Sequence, residues 1–291
     1  VKPAAFDYHA PTGLTEAVSL LAELGDDAKV IAGGQSLMPL LALRLAFVEH
    51  LVDLHRVEEM RGIDRRADSV WIGAGTTQAT IERSADIAEA VPLLARATPL
   101  IGYFQVRNRG TIGGSLAHAD AAAEYPAVAL TLDAEVEAAS PSGRRTIPAA
   151  EFFTGVWSTD LAEDEILTGV TFPLWRGRSG FAVEEFASRH RDFAFAGATV
   201  AVELDGDDRV RRCAIGLLGL GPTALRARAE EAELTGRHVT EITAEDVGQA
   251  AVSGLDSVPS DHNVPAEYRK RVGAAVVARA WHRAIQEASD A

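Results

Sequence analysis

Apolar residues in the first 60 positions switch between two periods. Ala17, Leu20, Leu21 and Leu24 recur at 3-4 spacing and predict a helix over Glu16–Leu24, capped by Thr12 or Thr15 and stopped at Gly25. Lys29–Ala32 and Leu51–Leu54 read as short buried strands, with the stretch Leu37–Phe47 between them helical in period. Strand, helix and strand in so short a space predict parallel pairing through a crossover.

From residue 61 onwards strand patterns dominate. Ser69–Ala74 is a strand, Thr76 and Thr77 offer caps for a helix over Gln78–Ala85, and Val91–Ala97 is a second helical piece. Ala127–Ala138 and Arg144–Ile147 read as paired strands around the turn Ser140-Pro-Ser-Gly143, and Glu165–Phe172 alternates as a strand does. The polar, glycine-rich tract Leu174–Gly180 reads as a boundary, dividing the chain into 1–176 and 177–291. Beyond it Phe181–Ala187, Ala196–Leu204 and Val210–Gly219 form three strands, the last two joined by the Asp205-Gly-Asp-Asp208 turn. Helices are predicted over Ala224–Thr235 and Ala266–Ser289.

Composition narrows the possibilities. The chain has 291 residues, 47% of them hydrophobic and 24% charged, which suits a globular protein of two domains. A net charge of −14 argues against a nucleic-acid surface, which needs a basic stripe, and against docking on anionic lipid. The lone Cys213 leaves no partner for an internal disulfide and excludes an all-cysteine metal or iron–sulfur site made by this chain alone. Its setting in a strand reads as a small buried residue. With neither an export-type leader nor an apolar run long enough to span a bilayer, the expected location is the cytoplasm.

The chemistry concentrates in two glycine pairs, Gly33-Gly34 and Gly113-Gly114, each read as strand-fed and each followed closely by a serine. Free backbone N–H groups at such turns form anion sites, so two of them suggest a diphosphate held between. The first, AGGQS, lacks the spacing of a dinucleotide Rossmann turn and the lysine of a P-loop. After the second pair come His118, Asp120 and Glu124 among small alanines, where carboxylates suit ribose or amino groups of a nucleotide. Competing readings are a histidine satisfied by a loop carbonyl and carboxylates that are merely solvated. One histidine with two carboxylates is a poor metal set. There is neither a nucleophile elbow nor an H-E-x-x-H helix. The cluster His190–Asp192 reads as surface charge or an interdomain ion-pair group.

Three segments in order, AGGQSLMPLLALRLA, QVRNRGTIGGSLAHAD with AAAEYPA after it, and SRHRDFA, resemble the FAD-binding medium subunit of the molybdenum hydroxylases. That family includes carbon monoxide, nicotine and caffeine dehydrogenase types and the flavin domain of xanthine dehydrogenase. The resemblance covers essentially the whole chain. It implies an α+β fold: a PCMH-type, two-subdomain FAD-binding domain followed by a C-terminal three-stranded antiparallel sheet with a helix bundle.

By the same resemblance the FAD pyrophosphate lies between Ala32, Gly33, Gly34, Gln35, Ser36 and Leu37 on one side and Thr111, Ile112, Gly113, Gly114 and Ser115 on the other. Asp120 and Glu124 fall on the nucleotide side or flavin edge, Ile101 and Gly102 against the ring, Leu167 at a backbone contact, and Asp192 and Phe193 where the C-terminal domain reaches the flavin. Ser115 stands where many relatives carry Asn, and Glu185 where Lys is frequent. The cysteine-rich insertion that holds a cluster in one branch is missing.

The implied role is electron transfer without a catalytic acid or base on this chain. A large subunit with a molybdenum cofactor and a small subunit with [2Fe–2S] clusters are the expected partners, in an (αβγ)2 assembly. A stand-alone FAD-dependent oxidoreductase of the same fold is the competing expectation. Valine at Gly34 or Gly114 is expected to block the pyrophosphate while leaving the fold intact.

Overall fold

A computed structural model describes residues 2–189, 191–261 and 264–291. The first 60 residues build a small parallel sheet from β1 (Asp7–His9), β2 (Ala28–Ile31) and β3 (His50–Asp53), in the order β1-β3-β2. Helix α1 (Leu14–Leu24) joins β1 to β2, burying Leu14, Ala17, Val18 and Leu21. Its start carries no side-chain cap; instead the Leu14 N–H donates to the Glu59 carboxylate, and Glu16 accepts from the Thr12 N–H at 2.9 Å. Helix α2 is shorter than its periodicity predicts, Leu37–Ala42. Arg44, at φ 57°, turns the chain before the pattern ends, leaving Leu43, Leu45 and Phe47 exposed.

The second layer is a five-stranded antiparallel sheet, β4-β5-β10-β6-β7, built from β4 (Ile63–Arg65), β5 (Ser69–Gly73), β6 (Glu135–Ser140), β7 (Gly143–Pro148) and β10 (Ile166–Pro173). The ribbon of β8 (Phe153–Gly155) and β9 (Ser158–Thr159) lies between β7 and β10 in the chain. Between β5 and β6 run α3 (Gln78–Arg83), α4 (Ala85–Ala90), α5 (Pro92–Ala97), α6 (Phe104–Arg107), α7 (Ile112–His118) and α8 (Glu124–Thr131). The short helix α9 (Ala149–Phe152) follows β7. Thr77 caps α3 and Ser84 caps α4.

One expectation fails here. Ala127–Ala138 is not one strand: its first half is α8, and only from Glu135 does the chain extend into β6. A helix apolar all round has no amphipathic signature. It is possible because α8 is covered on every side, with Tyr125 to Thr131 all buried.

The C-terminal sheet has the three predicted strands, β11 (Arg178–Ala187), β12 (Ala194–Leu204) and β13 (Val210–Leu218), plus a two-residue edge strand, β14 (Leu225–Arg226). Its two faces bury different partners. Val200, Val202, Cys213 and Ile215 pack under α10 (Arg228–Leu234), α11 (Ala244–Ser253) and the long α12 (Ala266–Asp290). Ala201, Ala214 and Leu218 join the core of the N-terminal half. Polar ties reinforce the second contact. The Thr131 and Thr199 hydroxyls meet at 2.7 Å, Arg226 donates to the Leu130 carbonyl at 2.9 Å and pairs with Asp133, and Glu287 of α12 grips Arg96 of α5 with both oxygens.

Candidate cofactor-binding site

The site begins where β2 ends. The N–H groups of Gly33, Gly34, Gln35 and Ser36 have no acceptor among the described residues, and the loop faces solvent. Gly34 sits at φ 71°, a conformation that favours glycine, and its carbonyl accepts from the Met38 N–H at 3.1 Å to start α2. Successive free amides at a strand-to-helix turn form an anion-binding concavity.

The second glycine pair works differently. It is not strand-fed: α6 precedes it, and Gly113 and Gly114 lie in the first turn of α7. Thr111 caps that helix, its hydroxyl accepting from the Gly114 N–H at 3.0 Å. The Ile112 N–H donates to Thr76 O at 3.1 Å, Gly113 to Ala74 O at 2.9 Å, and Ser115 to Thr111 O at 3.1 Å. These amides are therefore spent on the protein. What this turn offers outward is the Ser115 hydroxyl, which has no partner among the described residues.

Glycine at the second turn serves close packing. A Cβ on Gly113 would lie 2.5 Å from the Ala74 Cβ, and one on Gly114 would lie 3.0 Å from the Thr111 hydroxyl and 3.3 Å from the Ala32 Cβ. A Cβ on Gly33 would lie 2.2 Å from the Arg109 carbonyl oxygen. The loops thus touch each other, and valine at Gly114 would press on this contact instead of on open space. At Gly34 it would strain the backbone as well.

Arg107 and Glu82 were not singled out from the sequence, yet they shape the neighbouring segment. The Arg107 side chain, only 5% exposed, donates to both Glu82 oxygens at 2.8 and 3.0 Å and to the carbonyls of Ile101 and Gly102 at 3.0 and 2.8 Å. An arginine closing the one-turn helix α6 among polar neighbours gives no one-dimensional sign of burial. Gln78 was likewise missed: its N–H donates to Gly110 O at 2.8 Å, tying α3 to the second loop.

The remaining predicted residues are placed as follows. Asp120 closes a local turn, accepting from the Ala122 N–H at 2.8 Å. His118 stacks on Trp157 with ring centroids 6.2 Å apart, and no group able to hold a metal occurs among the described residues. Leu167 is buried at a bulge in β10, and the next carbonyl, Thr168 O, accepts from Ala74 N–H at 2.9 Å, linking this strand to the same region. Phe193 is 73% exposed on the β11–β12 connection with Asp192, and Arg191 beside them lies over the Tyr103 ring, 5.9 Å from its centroid. His190 of this cluster lies outside the described residues.

Glu124 opens α8 within electrostatic reach of Glu185 on β11. Burial raises both carboxyls far above the ordinary glutamate value, and the mutual repulsion of the pair adds to the rise at Glu124. Glu185 Oε1 is buried without a hydrogen-bond partner among the described residues.

A glycine loop with free amides, clasped to a second glycine turn, is a site that can hold an anionic ligand such as a diphosphate. The family profile described as "FAD binding domain in molybdopterin dehydrogenase" matches residues 4–175, and "CO dehydrogenase flavoprotein C-terminal domain" matches 181–284. The chain belongs to the family of FAD-binding medium subunits of the molybdenum hydroxylases and is an oxidoreductase subunit. It is 41% identical to the 6-hydroxypseudooxynicotine dehydrogenase complex subunit alpha of Paenarthrobacter nicotinovorans, over 99% of this chain and 97% of that protein. It is 38% identical to the carbon monoxide dehydrogenase medium chain of Hydrogenophaga pseudoflava, over 97% and 98%. The carbon monoxide dehydrogenase structure from that organism superimposes with a TM-score of 0.95, at 39% identity and 99% coverage of both chains. The quinoline 2-oxidoreductase structure from Pseudomonas putida 86 gives 0.93, at 36% identity and 99% coverage of both. No helix among the described residues is long and apolar enough to cross a membrane.

Proposed function

We propose that this chain takes electrons from [2Fe–2S] clusters of a small partner subunit and passes them, through FAD, to an external acceptor. A large partner subunit with a molybdenum cofactor would oxidise the substrate, in an (αβγ)2 assembly working in the cytoplasm. The observation that carries the reading is the row of free amides at Gly33–Ser36, held against the second glycine turn within the segment that matches the FAD-binding family. These residues fit the cofactor: the amides would take the pyrophosphate oxygens, and the Ser115 hydroxyl would add a donor from α7. Bound FAD supplies the redox chemistry, since a flavin exchanges electrons singly or in pairs.

The chain's own residues hold and orient. Arg107 fixes the carbonyls of Ile101 and Gly102, so that this segment presents a set shape to the ring. Gly34 lets the first loop turn back over the ligand without steric strain. Leu167, Asp192 and Phe193 are assigned to the ring end, and Asp120 and Glu124 to the nucleotide side or flavin edge. Residues 1–176 are assigned the cofactor and 177–291 the cover over it. Purification from the native host tests the reading: a yellow preparation carrying stoichiometric FAD together with a molybdenum chain and an iron–sulfur chain is expected. A chain that isolates without these partners, yet oxidises small donors by itself, would overturn it.

A further inference from the structure

Consecutive residues on a strand point to opposite faces, and β11 carries two consecutive glutamates. Glu184 faces α12, where Arg283 and Arg279 attend it, the latter at 3.6 Å. Glu185 lies on the opposite face with Phe181 and Val183, which pack into the N-terminal core, and comes within electrostatic reach of Glu124. Neither Glu124 nor Glu185 has a cation at ion-pair distance among the described residues.

The contrast along α8 is informative. Past its C-terminal end Asp133 is joined to the C-terminal sheet by Arg226, a cation meeting a carboxylate. Before its N-terminal end the Gly219 N–H donates to Ala121 O at 2.7 Å, and the side chains brought near each other there are two acids. No nearby cation stands at ion-pair distance from either acid among the described residues. Asp120 adds a further negative charge, Arg269 of α12 is bound to Phe195 O at 2.7 Å and to Asp261 at 3.0 Å, and Arg107 is held by Glu82. Arg191 lies over the Tyr103 ring, with its Nε buried and without a hydrogen-bond partner among the described residues. Two half-buried carboxylates with no cation at ion-pair distance repel each other, and the one buried oxygen without a donor, Glu185 Oε1, is costly. A proton removes both costs, since it gives a donor to the orphaned oxygen and cancels one charge.

We propose that Glu124 and Glu185 are positioning residues for the FAD site: the pair holds a proton across the joint between the two halves and so keeps the Asp120–Glu124 segment docked on the C-terminal sheet, where the Gly219 N–H already donates to Ala121 O at 2.7 Å. The consequence for the cofactor rests on the FAD reading; the protonated pair does not.

The sign follows from linkage. Carboxyls whose folded-state values lie above their unfolded values stabilise the fold fully at low pH and lose that contribution as pH rises. Both carboxyls are raised by burial, so the loss begins above the ordinary glutamate value of 4.5 and continues as pH rises. The test is the denaturant midpoint of the full chain, stripped of FAD, from about pH 5 to about pH 9. The wild type should lose stability across that range, and Glu185→Gln, which keeps shape and hydrogen bonding, should flatten the curve and raise its alkaline end. Infrared difference spectra should show a protonated carboxyl at neutral pH that disappears in the Glu124→Gln/Glu185→Gln double variant. A Glu185→Gln curve that parallels the wild type, or no protonated carboxyl at neutral pH, would overturn the pair. FAD retention tests the second half: it should weaken at alkaline pH in the wild type and hold steady in Glu185→Gln. Equal pH dependence in both would overturn the positioning role alone, and a full chain that takes up no FAD at any pH would instead count against the FAD reading.

Discussion

Single residues in this site divide into those that hold the protein and those free to hold something else, and substitution separates the two. Ser115 has a hydroxyl without a partner among the described residues, so Ser115→Ala should leave the melting temperature within about a degree while weakening FAD binding several-fold, measured by flavin fluorescence on titration. Gly33 is the opposite case. Gly33→Ala sets a Cβ against the Arg109 carbonyl and forces the loops apart, so calorimetry should record a clear loss of stability together with lost FAD. Arg107 lies between these extremes. Arg107→Lys cannot span Glu82 and two carbonyls with one ammonium group, so it should free Ile101–Gly102 and weaken cofactor retention even though charge is conserved. Hydrogen exchange at residues 101–103 would register the release; unchanged protection would count against this account. The glycine pairs themselves stood out in the sequence, as did Ser115. The division of labour between them did not, because which amides are free depends on the Thr76 and Ala74 carbonyls contributed from elsewhere in the chain.

At the scale of elements the joint between halves is held by buried polar groups. Arg226 and Glu231 pair with their side chains almost fully buried, and Glu231 also accepts from the Ile215 N–H at 2.8 Å. Arg226→Ala would strand a buried carboxylate and free Asp133, so chemical denaturation should show a loss of about 3–5 kcal/mol. A loss below about 1 kcal/mol would mean that the pair counts for no more than a surface ion pair. Elements with a strong period were legible: α1, α12, β2 with β3, and the β12–β13 hairpin all follow their patterns. α8 was not, since a segment covered on all sides shows neither a helical nor a strand period and its β-branched and aromatic residues suggest the wrong one. The shortening of α2 was also hidden, because the left-handed turn at Arg44 interrupts a sequence whose apolar spacing continues.

Across the whole molecule the C-terminal sheet is a shared wall, with the helix bundle on one face and the N-terminal core on the other. Residues 1–176 expressed alone should therefore expose α8 and aggregate or bind a hydrophobic dye, whereas the intact chain should not; a monomeric, cooperatively folding fragment would contradict that view of α8. The sequence by itself determined the class of fold, the two glycine turns and the family, because local period, turn residues and motif order are properties of neighbours along the chain. Tertiary structure alone decided which turn keeps its amides free, that Arg107 is buried, and that Glu185 comes within electrostatic reach of Glu124 while Glu184 pairs with arginines. Hydrogen-bond supply, burial and charge pairing all depend on residues tens to hundreds of positions away, and only the folded chain brings those together.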